Sequence, residues 1–110
     1  MLIVNIDHIP GKSFAVLGLV KGNVVQSKNF GKDFMSAMKT LVGGEIAAYT
    51  EMLDEARQIA VGRMAAEAEA MGADAVVNLR FASSSVMQGA AECIAYGTAV
   101  KFTGGEAERG

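Results

Sequence analysis

The chain is poor in the residues that usually carry chemistry. It has one cysteine (Cys93), one histidine (His8), one proline (Pro10) and no tryptophan. A single cysteine excludes an internal disulfide and suits a reducing compartment. One Cys and one His, far apart and without a Cys-x-x-Cys, exclude a closed zinc-type site made of Cys and His ligands within one chain. Lys and Arg are scattered, the net charge is −2 and aromatics are only 6% of residues. A nucleic-acid partner, which needs a basic face or an aromatic platform, is not expected. No apolar run approaches the ~20 residues of a membrane span. The apolar opening Met1–Ile6 is broken by Asp7, His8 and Pro10, so it does not read as a secretory leader. The expectation is a cytoplasmic protein with no membrane partner.

Catalytic motifs are also missing. Ser83-Ser84-Ser85 lacks the Gly-x-Ser-x-Gly frame of a nucleophile elbow. Lys39-Thr40-Leu41-Val42-Gly43-Gly44 holds P-loop residue types in the wrong order, because a phosphate loop needs its glycines before the Lys and Ser/Thr. Gly43-Gly44 does lead into a helix N-terminus, but Glu45 already places a carboxylate there.

What the chain does have is apolar surface. Of its 110 residues, 51% are hydrophobic. A domain this small leaves much of its surface in water, so an excess of apolar side chains points to self-association, as a closed ring or a dimer. The length fits one domain, residues 1–102, followed by a polar, Gly-rich tail over 103–110 that is expected to be disordered.

Hydrophobic periodicity places the elements. Residues 1–12 read as an extended arm or short edge strand ending at the Pro10-Gly11 turn signal. Phe14–Val20 reads as a strand, with Gly18 marking a bulge or a close backbone. Lys21-Gly22-Asn23 is either a hairpin turn before Val24–Ser27 or a kink in one long strand. Asn29–Leu41 reads as a short helix, with Asp33 as its cap and Phe34, Met38, Leu41 and Val42 three or four apart. Glu45–Met71 is a long helix, about 40 Å from end to end. Its stripe is Tyr49, Leu53, Ala56, Ala60, Met64, Ala68 and Met71. Ala47, Ala48, Ile59, Ala66 and Ala70 spread apolar character to a second side. Gly72 sits where a left-handed cap belongs. Ala75–Ser83 alternates, with Val77, Leu79 and Phe81 on one face and Asn78 and Arg80 on the other. A turn falls in Val86–Gly89. Glu92–Phe102 is the last strand, with Ile94, Tyr96, Thr98, Val100 and Phe102 sharing a face. The fold class is α+β: a small antiparallel β-sheet packed against one long α-helix, plus a short helix.

A helix that is apolar on two sides suits two partners, its own sheet and a neighbouring subunit. Tyr49, Arg57, Ile59 and Arg63 are the interface candidates. The arginines lie near the stripe and can fold their stems over it to reach a carboxylate of another chain. Asp54 is the local alternative for Arg57. His8, beside Asp7, and Cys93, repeated around a symmetry axis, are the candidate metal ligands. Their bland alternatives are an exposed arm residue and a small core hydrophobe. No catalytic residue and no cofactor is expected; a bound metal ion is the one alternative considered.

Several of these residues occur together in a known family. The chain resembles the YbjQ-like family of small bacterial proteins, labelled heavy-metal-binding and otherwise uncharacterised. The resemblance runs from about Ile9 to Phe102. It rests on Val42-Gly43-Gly44, Tyr49, Ala56-Arg57, Ala60, Gly72-Ala73-Asp74-Ala75-Val76-Val77 and Gly97-Thr98-Ala99-Val100, with Asn29 and Asp33. It implies a dodecin-like subunit and a ring assembly, commonly a pentamer, and it implies no established reaction.

Three functional readings follow. The preferred one is a non-enzymatic, ring-forming homo-oligomer that binds a small ligand or metal ion, or serves as a scaffold. The second is an enzyme whose site is composed at subunit interfaces from Tyr49, Arg57, Glu45 and His8. The third is a metal store or sensor.

Overall fold

The structure, a computed structural model, describes residues 1–26, 44–87 and 90–104. For residues 26, 44–52, 85–87, 90 and 91 it describes the backbone alone. The short helix expected over Asn29–Leu41 and most of the expected tail lie outside the described residues. The described elements are β1 (Leu2–Ile3), β2 (Phe14–Gln26), α1 (Gly44–Ala70), β3 (Ala75–Met87) and β4 (Ala90–Phe102).

The choice left open at Lys21-Gly22-Asn23 resolves as one strand of 13 residues. The irregularity lies earlier in β2, where the register against β4 shifts between Val16 and Gly18. Gly18 has a φ of 147°, which a side chain rarely adopts. The helix is 27 residues long and ends where Gly72 predicts. Gly72 takes a φ of 82°. Its N–H donates to the Glu69 carbonyl (2.9 Å) and the Ala73 N–H reaches back to the Ala68 carbonyl (3.1 Å), the paired bonds of a Schellman cap.

The sheet has the order β1-β3-β4-β2. It is mixed, not wholly antiparallel as expected. β3–β4 and β4–β2 are antiparallel, but β1 runs parallel to β3, with Leu2 opposite Ala75 and Ile3 opposite Val76. The arm follows β3 further than its two strand residues. Val4 N–H donates to the Val76 carbonyl (2.9 Å), and the Leu79 and Asn78 amides donate back to Val4 (3.0 Å) and Ile6 (2.9 Å). Backbone groups on the open edge of β3 need partners, and the arm supplies them.

Two cores lie on opposite faces of the sheet. On one, α1 packs over β2 and β4 and scarcely over β3. Val20, Ala60, Met64, Ala68, Val76, Ala95 and Ala99 are fully buried there, with Leu17, Val24, Leu79 and Cys93 around them. The layer is thin because its residues are small. Gly22 lies directly beneath the helix backbone, so that an added Cβ would overlap Ala60 O and Met64 N and stand 2.7 Å from the Arg63 Cβ. On the far face a smaller core of Ile9, Ala75, Val77 and Val100, with Val4, Phe14 and Phe102, is closed by the arm. Lys12 Nζ lies 5.2 Å from the centre of the Phe102 ring at its margin.

The alternation expected along β3 breaks after Val77. Asn78 has a φ of 58°, and two residues, Asn78 and Leu79, stand opposite one between the pairs Val77–Thr98 and Arg80–Tyr96. This bulge reverses which face each later residue uses. Val77 therefore belongs to the far core, while Leu79 packs against the helix-side core. The Arg80 guanidinium secures the bulge, donating through Nη1 to the carbonyls of Asn5 and Leu79, both at 2.9 Å.

Candidate functional site

The two metal-ligand candidates do not meet. His8 lies on the arm with its Nδ1 3.0 Å from Asp7 Oδ1, and both side chains are largely in water. The His8 hydrogen bond, aided by its charge, holds the Asp7 carboxyl below the usual aspartate range. Cys93 is half-buried and packs against the helix-side core, opposite Val24 and Ser83. The part of the arm next to His8 packs on the other face, through Ile9. Among the described residues no three His, Cys, Asp or Glu side chains gather in a group able to hold a metal ion.

The composite catalytic set is not assembled either. The side chains of Tyr49 and Glu45 lie outside the described residues. His8 and Arg57 belong to opposite sides of the molecule. Arg57 lines a shallow groove of about 310 Å³ beside the helix, with Asp54, Gln58, Val61 and Phe81. The groove exists because α1 covers β2 and β4 but leaves the outer part of β3 bare. Phe81, which the bulge turns to this side, is 45% exposed. Asp54, the local alternative partner for Arg57, accepts a hydrogen bond from the neutral donor Gln58 Nε2 one turn along (3.1 Å).

The remaining interface candidates have distinct places. Ile59 is exposed on α1. Arg63 has a partner inside its own chain, because its Nη1 donates to the Asn23 carbonyl at 2.6 Å.

Among the described residues, β2 carries an exposed apolar feature to which the sequence assigned no face. Val16, Leu19 and Val25 of β2 are 66%, 70% and 55% exposed. Their β4 partners are Val100, Thr98 and Glu92. Val100 lies in the far core, so this row is on the face away from the helix. Half-buried Ile94 and Tyr96 lie beside it, opposite Asn23 and Lys21. The arm seals only the Phe14–Phe102 end of this face. The signal was present in Gly18: a bulge there brings Val16 and Leu19, three apart in sequence, onto one side of the sheet. The row is interrupted, since Lys21 and Asn23 stand on the same face between Leu19 and Val25. Val16 and Leu19 are its adjacent apolar pair, and such a pair beside Tyr96 suits contact with another surface.

The chain matches the model of a family described as "Putative heavy-metal-binding" over residues 1–103. It belongs to the YbjQ-like family. A UPF0145 protein of Clostridium novyi (strain NT) is 61% identical over 93% of this chain and 99% of its own length. A UPF0145 protein of Thermosipho africanus is 62% identical over 93% of this chain and 95% of its own. Among solved structures, a protein of unknown function from Pediococcus pentosaceus superposes with a TM-score of 0.65 at 16% identity, covering 93% of this chain and 97% of that one. That likeness is one of fold.

The YbjQ-like description invites a test of the donor set. A soft metal prefers two or more thiolates, or thiolate with imidazole, at bonding distance. The described part of this YbjQ-like chain offers one half-buried thiol on one sheet face and one exposed His–Asp pair on the other. Within one subunit these donors do not fit such an ion.

Proposed function

We propose that this YbjQ-like protein is a non-enzymatic binding or scaffold module that works as a closed homo-oligomer in the cytoplasm. The observation that carries the reading is that, among the described residues, Val16 and Leu19 of β2 are left uncovered, with half-buried Tyr96 and Ile94 beside them and Val25 further along the same face beyond Lys21 and Asn23. Burying apolar surface contributes about 25 cal/mol per Å², so covering these side chains with a second copy favours association. The excess of hydrophobic residues in the whole chain, 51%, supports the same reading. A ring of five is the form that the family resemblance suggests. In this proposal the ligand is a small molecule held between subunits, and the groove beside Phe81 and Arg57 is its candidate seat. No reaction is proposed.

Native mass spectrometry of the untagged protein at micromolar concentration tests the reading. A single closed multiple of the 11.5 kDa chain is the expected result. A stable monomer overturns it.

A further inference from the structure

Among the described residues, β2 pairs with β4 on one side only and forms the open edge of the sheet. It is long, and it carries the exposed apolar side chains Val16, Leu19 and Val25. A strand of this kind is a template for another strand, because its outward N–H and C=O groups lack a ladder.

At the middle of this edge the outward groups have partners. The Lys21 N–H donates to Glu67 Oε1 at 3.0 Å, and the Asn23 carbonyl accepts from Arg63 Nη1 at 2.6 Å. In a strand, residues two apart direct their backbone groups to the same side, so these two groups face outward together. An acceptor meets the N–H and a donor meets the C=O, the order in which a neighbouring strand would present them. Arg63 and Glu67 are four apart on α1, hence neighbours on one flank of the helix. Gly22, between the two strand residues, lets the helix come low enough for both to reach over the edge.

We infer that Arg63 and Glu67 together stand in for a neighbouring strand on β2, and so prevent the edge of one copy from pairing with the β2 edge of a second. The inference does not depend on the size of the native particle. It states that copies do not join through this edge while the two side chains cover it.

Both side chains are exposed, so truncating them leaves the Ala60–Met64–Ala68 core in place. The test compares the wild type, Arg63→Ala/Glu67→Ala, and the same double variant carrying Lys21→Pro. Proline removes the outward N–H without removing a bond to β4, and it is tolerated on edge strands. Sedimentation velocity over roughly a hundredfold range of concentration reads particle size, and circular dichroism checks folding. The double variant is expected to form species larger than the wild type, in a share that rises with concentration as β2 edges pair two by two, and Lys21→Pro is expected to return the wild-type size. A folded double variant of wild-type size at every concentration overturns the inference. Growth that persists after Lys21→Pro also overturns it, since association would then use another surface. If the double variant does not fold, Glu67→Ala alone, which frees only the Lys21 N–H, is judged by the same two outcomes.

Discussion

Gly22 lies so close under Ala60 that a methyl group in place of its hydrogen would overlap the Ala60 carbonyl oxygen. Both atoms belong to regular elements, so neither can move aside alone. Gly22→Ala is therefore expected to lift the helix from β2 and destabilise the fold by about 3 kcal/mol, the upper end of overpacking costs. Urea unfolding followed by circular dichroism checks this. An unchanged midpoint would mean that the helix sits higher than described.

Asn78 occupies the left-handed region that lets β3 change faces. Asn and Gly reach that region readily, whereas a β-branched residue does so at a cost of about 1–2 kcal/mol. Asn78→Gly is expected to retain wild-type stability within about 1 kcal/mol, and Asn78→Val to lose about 2. The order of the two denaturation midpoints is the reading.

Asp74 joins the helix cap to the end of the last strand. Its Oδ2 accepts the Phe102 N–H at 2.8 Å and lies 3.6 Å from Lys101 Nζ, while its own N–H donates to the Val100 carbonyl at 2.8 Å. Asp74→Ala leaves a partly buried amide without its acceptor and is expected to cost about 1–2 kcal/mol. Lys101→Ala, which removes an exposed ion pair and a long, exposed hydrogen bond from Nζ to the Gly72 carbonyl (3.3 Å), is expected to cost less than about 1. Thermal unfolding of the two variants separates these contributions.

The Asp7 carboxyl is expected to titrate below an ordinary aspartate, and His8→Ala to return it toward that value, because the His8 hydrogen bond is the main cause of the shift. A carboxyl depressed in the folded state adds stability above its unfolded pKa and loses it as pH falls through the folded value. Here both groups are in water, so the shift is expected in a carboxyl NMR titration and not in the melting profile.

Leu19→Ser is expected to leave the circular dichroism spectrum unchanged, since 70% of the residue is exposed. The same change is expected to shift the native mass spectrum toward smaller species. A wild-type spectrum would remove the β2 row from the assembly surface.

The fold class and the helix were legible in the sequence because both rest on strong periodicity and on one decisive glycine. Ala56, Ala60, Met64 and Ala68 are buried along the expected stripe, and Gly72 ends the helix with its positive φ. The parallel pairing of β1 was not legible. Two residues carry too little pattern to announce a direction, and the contact joins segments far apart in the chain, Leu2 with Ala75 and Ile3 with Val76. The face change in β3 escaped because Asn78 looks like an ordinary polar residue in an alternating run. Only the backbone shows that Val77 and Leu79 part company there. Of the site candidates, Arg63 was found by its place beside the apolar stripe, but its partner proved to be a backbone carbonyl of its own chain. Phe81 and the row on β2 were missed because each owes its exposure to a bulge.

The layer between helix and sheet is built mainly of alanine: Ala60 and Ala68 above, Ala95 and Ala99 below. Such a seam responds to volume before it responds to polarity. Replacing one of these alanines with serine or glycine asks little of its surroundings, whereas valine, the more oily choice, has nowhere to put its extra carbons. A ranking of variants by hydrophobicity would therefore run backwards along this seam, and a drift toward bulkier side chains on one side would have to be met by shrinkage on the other.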